Sequence, residues 1–324
     1  MPLLEVKNLH VYFKVFEGKL KVLNGVDFYV KTGERVGFMG EMGCGKTTLM
    51  KSILKILPMP PAVIPEGEIL FKGKDVLKID KSQLLKLREK EISMIFQDPT
   101  AALNPVFTVG TQLYDVIKYA NLDKNRKIKK EYIKNLLVKA LENVYLPDPE
   151  RIIQNYPFQL SGGMRQRICI AMSLASSNSL LLADEPDTSL DATIKDQILR
   201  LIDELIEKVG NTIILVSHAL GTLKNITNRV YVMYAGSIVE VGPTKELFNK
   251  PLHPYSQGLI RSVPKLTGYG IGEGIEGNIP NYLSPPVGCR FHPRCKHVMS
   301  ICKERKPPLF KINIDHKVAC FLYQ

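Results

Sequence analysis

Several groups of residues in this 324-residue chain have types and spacings suited to chemistry on phosphate. The first is Gly40-Glu41-Met42-Gly43-Cys44-Gly45-Lys46-Thr47, followed by Thr48: a complete G-x-x-x-x-G-K-S/T loop with an added central glycine. Its glycines let successive backbone N–H groups turn towards phosphate oxygens, and a helix N-terminus behind the loop adds a favourable dipole. Lys46 can reach the β- and γ-phosphates, and the Thr47 hydroxyl can ligand magnesium. The second group is Leu180-Leu181-Leu182-Ala183-Asp184-Glu185, an apolar run ending in two carboxylates. Asp184 is placed to hold magnesium, and Glu185 to polarise water for attack on the γ-phosphate. Phosphoryl transfer needs little beyond positioning, charge stabilisation and an oriented nucleophile. The third is Leu160-Ser161-Gly162-Gly163-Met164-Arg165-Gln166-Arg167 ahead of a helix, which reads either as a second backbone cradle for phosphate or as a helix cap. Gln97 and His218 each follow an apolar strand-like run, and polar groups at strand carboxyl ends lie where ligands bind in parallel α/β sheets. Gln97 is a candidate for the magnesium or the attacking water, or a strand-capping amide; His218 is a candidate γ-phosphate contact. Taken together, these residues bind a nucleoside triphosphate.

The elements that must position them follow from periodicity. Arg35–Met39 reads as a buried strand and Thr48–Leu54 as a helix, flanking the loop on both sides. Leu4 to Phe13 and Val22 to Val30 read as strands joined by a turn at Phe16-Glu17-Gly18-Lys19. Tyr12 and Phe13 are both candidates to stack on adenine; they point to opposite faces of a strand, so only one can serve. Pro58-Met59-Pro60-Pro61 and Pro65-Glu66-Gly67 read as a proline-rich connection, with short strands following at Glu68–Phe71. A basic helix over Leu84–Lys90 and a strand over Ile92–Phe96 lead to Gln97. From about Thr100 to Ala175 the strand pattern gives way to helices, as in an inserted helical subdomain. Ser189-Leu190-Asp191 opens a helix with a stripe at Ile194, Ile198, Leu201, Ile202 and Leu205. Thr212–Ser217 is a further strand, and Val230–Tyr234 with Ser237–Val241 a closing hairpin.

Composition narrows the class. At 45% hydrophobic and 23% charged residues the chain is an ordinary globular sequence, long enough for a large domain plus an appendage. No run approaches the ~20 apolar residues of a membrane helix, and the N-terminus lacks a signal-peptide layout, so the expected location is cytoplasmic. A net charge of +12 is compatible with nucleic acid, an anionic membrane face or an acidic partner. Its densest run, Lys124 to Lys130, starts a helix with an apolar stripe at Ile133, Leu136, Leu137, Ala140, Leu141 and Val144, so it reads as a solvated face. No aromatic residues interleave with it as a base-stacking surface requires, and no nucleic-acid partner is expected. Of six cysteines, Cys289, Cys295, Cys302 and Cys320 crowd the last tenth of the chain, which in a cytosolic protein argues for a metal site. Gaps of five, six and seventeen residues are wider than structural zinc knuckles use and lean towards an iron–sulfur cluster, with zinc the alternative.

In order and spacing, the loop, Gln97, Ser161-Gly162-Gly163, Asp184-Glu185, Ser189-Leu190-Asp191 and His218 resemble the nucleotide-binding subunit of an ATP-binding-cassette transporter, across roughly residues 1–250. The resemblance implies an α/β phosphate-loop NTPase core of cassette type, with a mixed sheet, an antiparallel β subdomain and a helical subdomain at about 98–175. It implies ATP and Mg2+ as ligands, the latter through Thr47, Gln97 and Asp184, with Glu185, Gln97 and His218 as the catalytic set. Gly40, Gly43, Cys44, Gly45, Lys46, Thr47 and Thr48 would hold the phosphates, and Phe13, with Tyr12 as fallback, would stack on adenine. Two subunits would pair head to tail, each presenting Leu160, Ser161, Gly162, Gly163 and Met164 to the other's ATP, with Ser189, Leu190 and Asp191 in the dimer segment.

His253-Pro254-Tyr255-Ser256-Gln257-Gly258-Leu259-Ile260 with Ser262-Val263-Pro264, together with Met164-Arg165-Gln166-Arg167, resembles the dipeptide and oligopeptide importer ATPases. So does the ending from Cys289-Arg290-Phe291-His292-Pro293-Arg294-Cys295 to Cys320, which makes residues 251–324 a small metal-binding extension. Subfamily members with four such cysteines are associated with a [4Fe–4S] cluster. The implied partners are two transmembrane permeases, a related second ATPase or a second copy of this chain, and indirectly an extracellular binding protein. The chain would then sit peripherally on the cytoplasmic face of the membrane, docking a permease helix near Asp98–Tyr119. Nickel or another small solute as cargo is an alternative. So is a cassette acting on nucleic acid, against which stands the short distance of about a hundred residues from Lys46 to Ser161, too little for coiled-coil arms. Three positions depart from the family pattern: Ala219, Gln159 and Cys44. The Cys44 thiol, beside Lys46 and a helix start, is expected to favour thiolate and to be open to alkylation.

Overall fold

A computed structural model describes residues 1–121, 130–175, 178–187, 191–210, 212–262 and 274–324. The chain forms two compact units, one of Met1–Ile79 with Leu215–Gln324, the other of Asp80–Ile214.

The first unit opens with β1 (Leu4–Val15) and β2 (Gly18–Val30), the expected hairpin, then β3 (Arg35–Met39) and α1 (Lys46–Ile53). β4 (Ala62–Phe71) and β5 (Lys74–Asp75) complete an antiparallel sheet of order β2-β1-β4-β5. Leu4, Val6, Leu9 and Val11 of β1 and Leu23, Val26 and Val30 of β2 are at most 1% exposed, each such burial stabilising by roughly 1.5–3 kcal/mol. The sequence placed a proline-rich connection at Pro65-Glu66-Gly67, but β4 runs through it. Register shifts between Lys7, His10 and Tyr12 of β1 leave Pro65 outside the paired positions, and an unpaired position of this kind is where a strand tolerates proline.

The second unit begins with α2 (Lys81–Lys90), which starts three residues earlier than its pattern suggested. Asp80 and Gln83 form a reciprocal capping box there, Asp80 Oδ1 accepting from the Gln83 N–H at 2.9 Å. β6 (Ile92–Ile95) follows, then the helical segment the sequence implied: α3 (Pro99–Ala102), α4 (Val109–Asn121), α5 (Lys130–Asn143), α6 (Pro149–Gln154) and α7 (Gly162–Leu174). Ile133, Leu137, Leu141 and Val144 are buried as expected, whereas Lys124–Lys129 of the basic run lie outside the described residues. β7 (Leu180–Asp184) pairs in parallel with β6, and α8 (Ala192–Val209) buries Ile198, Leu201, Ile202 and Leu205. β8 (Thr212–Val216) crosses from one unit's residues to the other's.

The chain returns to the first unit with α9 (Leu220–Ile226), β9 (Arg229–Tyr234), β10 (Ser237–Pro243), α10 (Thr244–Asn249) and α11 (Pro254–Arg261). The tail adds α12 (Ser300–Glu304), β11 (Phe310–Lys311) and β12 (Lys317–Val318). In this unit the strands run β11-β12-β10-β9-β3, with β3 parallel to β9 and the others antiparallel, which gives the mixed pattern expected. The tail also has a core of its own. Here β12 pairs with β10 through Glu240 and Val318, and Leu252, Val318 and Cys320 form a buried cluster capped by Tyr323. Among the described residues no helix is long and apolar enough to cross a membrane.

Candidate functional site: a phosphate loop, a carboxylate strand end and a cysteine tail

Met39 ends β3 fully buried, and the chain turns at once into the glycine loop. A Cβ on Gly40 would collide with the Met233 carbonyl of β9 and come within 2.8 Å of Cys44 Sγ, so only glycine fits there. Gly45 N-caps α1 at φ 106°, a left-handed conformation that aims the first helical N–H groups into the loop. Lys46 is 4% exposed and folds over the loop, its Nζ donating to the Gly40 carbonyl at 2.8 Å and the Glu41 carbonyl at 3.0 Å. Thr47 and Thr48 are half-buried on the first turn of α1.

Cys44 behaves differently from expectation. Its side chain is fully buried, and burial raises the thiol pKa although Lys46 Nζ at 3.7 Å pulls it down. Desolvation of the thiolate outweighs one neighbouring cation, so the thiol stays protonated and shielded.

In the second unit the parallel register of β6 and β7 pairs Ile95 with Ala183. Two residues beyond each lie Gln97 and Glu185, and Gln97 Nε2 donates to Glu185 Oε2 at 2.8 Å. Asp184 and Glu185 are 1% and 5% exposed. Glu185 has φ +47°, rare for a non-glycine residue and a sign that the turn is built to aim this carboxylate. Asp187, which the sequence reading passed over, is buried and paired with Lys195 Nζ at 2.9 Å. Ser161 is the N-cap of α7, its Oγ accepting from the Met164 N–H at 3.2 Å, so Gly162, Gly163 and Met164 form the first helical turn itself rather than a segment before it. Leu160 is buried, and Gly163 lets α7 approach Ile194 of α8, a Cβ there lying 3.0 Å from Ile194 Cγ2. Asp191 N-caps α8, while Ser189 and Leu190 lie outside the described residues.

In the first unit His218 is exposed just past β8, and Tyr12 and Phe13 are both half-buried on β1, Tyr12 Oη lying 3.4 Å from His10 Nδ1. Phe16 stands fully exposed in the turn between β1 and β2, an aromatic that the sequence reading treated only as turn. The tail supplies more residues that pattern reading could not reach. Tyr255 Oη accepts from the Glu41 N–H at 2.7 Å, and Arg294 forms a bidentate pair with the Glu41 carboxylate at 2.7 and 3.0 Å.

Cys289, Cys295, Cys302 and Cys320 line one small cavity, together with His253, His292 and His297. Burial raises the thiol pKa of Cys289 to about 11, and the neighbouring Cys302, Cys320 and Cys295 add to it. Burial likewise raises Cys295 and Cys320. Among the described residues no group of three or more His, Cys, Asp or Glu side chains is drawn together tightly enough to hold one metal ion. The four cysteines are therefore gathered but not arranged as a mononuclear cage.

The ABC transporter family matches residues 23–188, and the oligopeptide/dipeptide transporter C-terminal region matches residues 239–302. The oligopeptide transport ATP-binding protein OppD of Bacillus subtilis is 44% identical over 99% of this chain and 88% of its own length. The dipeptide transport ATP-binding protein DppD of the same organism is 41% identical over 98% of the chain and 94% of its own. Among solved structures, a dimeric post-hydrolysis state of the ATP-binding cassette MJ0796 bound to ADP and Pi superposes with a TM-score of 0.66 at 26% identity, over 74% of this chain and 98% of that one. The cbiO1 subunit from Clostridium perfringens, part of the ABC transporter complex cbiONQ, gives 0.62 at 27% identity over 77% and 91%. The chain belongs to the ABC transporter family, among its oligopeptide and dipeptide transport ATP-binding proteins.

Proposed function

We propose that this chain is the ATP-hydrolysing subunit that powers import of dipeptides or oligopeptides through two membrane permeases, fed by an external binding protein. The observation that carries the proposal is the union in one chain of a phosphate-binding cassette and the peptide-transporter C-terminal region, aligned along 99% of its length with OppD. Residues 1–250 form the cassette, with a helical subdomain at about 98–175, and residues 251–324 the extension. Lys46 and the loop N–H groups hold the β- and γ-phosphates. Thr47, Asp184 and Gln97 offer hydroxyl, carboxylate and amide oxygens, the hard donor set that suits Mg2+, which neutralises phosphate charge when bound. Glu185 orients and polarises the attacking water, and His218 faces the γ-phosphate. Phe13, or Tyr12, stacks on adenine. Leu160 to Met164 serve the ATP of a second ATPase subunit, homologous or identical, with Ser189, Leu190 and Asp191 along the dimer seam.

Val106, Phe107, Val116 and Tyr119 are large apolar side chains left exposed within the segment expected to receive a permease helix. They support a peripheral position on the cytoplasmic face of the membrane. The four tail cysteines are proposed to ligate a [4Fe–4S] cluster. Zinc would draw four sulfurs to about 2.3 Å of one centre, whereas a cluster spreads its thiolates over four irons. What supports this reading is that all four cysteines line one cavity.

The test is ATP hydrolysis in proteoliposomes holding this chain, its permeases and its companion ATPase. Peptide-loaded binding protein should raise the rate, and Glu185→Gln should remove it. Stimulation by nickel or DNA but not peptide would overturn the cargo assignment.

A further inference from the structure

The phosphate loop is gripped from outside by the C-terminal extension, and all of the contacts lie within one compact unit. Arg294 uses every guanidinium N–H. One terminal nitrogen donates to Glu41 Oε2 at 2.7 Å and to Tyr234 Oη at 3.4 Å. The other donates to Glu41 Oε1 at 3.0 Å and the Ile275 carbonyl at 3.1 Å, and Nε donates to the Glu276 carbonyl at 2.8 Å. Its side chain is 5% exposed and that of Glu41 27%, so the pair is only partly screened by solvent. Tyr255 is fully buried and accepts the Glu41 N–H at 2.7 Å, while Tyr282 donates its hydroxyl to the Gly43 carbonyl at 2.7 Å. The backbone of Tyr282 is itself fixed, its carbonyl accepting from the Lys21 N–H of β2 at 2.9 Å.

We infer that Arg294, Tyr282 and Tyr255 of the extension are positioning residues for ATP binding, which hold the entrance of the phosphate loop in the shape that receives the triphosphate. None of the three belongs to the loop. They act through Glu41 and Gly43, and Glu41 also presents one of the two carbonyls on which Lys46 Nζ rests. Arg294 has a second effect: it neutralises a carboxylate that would otherwise face a triply or quadruply charged ligand at the loop mouth. Because the loop is held alike before and during reaction, the grip contributes to ground-state and transition-state binding equally. Losing it raises KM and leaves kcat.

The inference rests on the reading of this loop as the ATP site, and the experiment separates the two. The full-length chain is titrated with a fluorescent ATP analogue, and ATP KM and kcat are measured in the reconstituted transporter. Arg294→Ala is expected to weaken analogue binding and raise KM by about tenfold, the scale of one lost charge-assisted hydrogen bond. Arg294→Lys, which keeps the charge but not the fork, should fall between Ala and the parent. Tyr282→Phe, which keeps the ring and removes only the hydroxyl, should weaken binding roughly threefold. A merely structural role would lower kcat through the active fraction and leave KM in place. If Arg294→Ala fails to fold, Tyr282→Phe decides. Parental affinity in every folded variant, with binding abolished by Lys46→Ala, overturns the inference and keeps the ATP site. Parental affinity in Lys46→Ala overturns the site itself.

Discussion

Gln97 and Glu185 stand opposite one another at the carboxyl ends of two parallel strands, joined by a 2.8 Å hydrogen bond from Nε2 to Oε2. The bond fixes the orientation of the Glu185 carboxylate. Glu185→Gln keeps the shape and removes the charge, so hydrolysis is expected to fall by at least about 10²-fold while ATP binding persists. Gln97→Ala removes this one contact and keeps the carboxylate, and a smaller loss of roughly tenfold in kcat is expected. Single-turnover hydrolysis measured beside nucleotide binding separates the two effects.

Cys44 is expected to resist alkylation. Burial holds its thiol protonated in spite of Lys46, and no part of the side chain is exposed. Iodoacetamide at pH 8 should label Cys44 in the folded chain at least about tenfold more slowly than in the chain unfolded by guanidinium. Peptide mass mapping reads the difference, and equal rates would show that the loop opens freely.

The Cys44 reversal marks where the sequence stops being readable. Local signals were legible: the glycine loop, the strand-end pair Asp184-Glu185, the helical stripe of α8 and the capped start of α7 each depend on residues a few positions apart. Gln97 and Glu185 were each picked out, but their contact needs the register of β6 on β7, 88 residues apart. Whether Cys44 is wet or buried is set by tertiary packing around the loop, and no local pattern encodes that. The Glu41–Arg294 pair spans 253 residues and joins two unremarkable charges. Pro65 suggested a break because proline usually interrupts strands; a register shift in β1 accommodates it.

His316 gives the tail a pH-dependent anchor. Its Nε2 lies 2.7 Å from Glu240 Oε1 and its Nδ1 3.1 Å from Glu246 Oε1, so only the doubly protonated ring satisfies both. Burial opposes that charge, but the hydrogen bonds to Glu240 and Glu246 outweigh it and hold the His316 pKa above its ordinary value. Glu246 is held below its own, first by the His316 hydrogen bond. A raised histidine stabilises fully below its unfolded pKa of about 6.5, and the gain is lost as pH rises through the folded value. A lowered carboxylate stabilises above its unfolded pKa of about 4.3, and that gain is lost as pH falls through the folded value. The anchor is therefore strongest between those limits. His253 is buried and held neutral by desolvation, its pKa lowered to about 4, so it costs stability as pH falls from about 6.5 towards that value, in parent and variant alike, and cancels in their difference. His316→Gln is expected to cost about 3 kcal/mol near pH 6, because it leaves the fully buried Glu240 short of a cation. The difference in thermal midpoint between parent and variant should shrink as pH rises towards 9. A difference constant with pH would refute the charged pairing.

The cysteine tail makes the sharpest chemical prediction. Cys302 and Cys320 are 7% and 9% exposed, and Cys320 belongs to the small core with Leu252 and Val318. A group bound by the four thiols would therefore be coupled to the packing that fixes β12 on β10. Purified without oxygen, the chain should carry about four irons with a near-equal amount of acid-labile sulfide. Cys302→Ser should lose both and lower the thermal midpoint, because the binding energy of the group is then missing from the fold. Stoichiometric zinc without sulfide would replace the cluster with a mononuclear site, which would have to pull four sulfurs closer than they now lie. A chain free of iron, sulfide and zinc, with an unchanged midpoint in Cys302→Ser, would leave four unliganded thiols, with Cys302 and Cys320 packed as small apolar side chains.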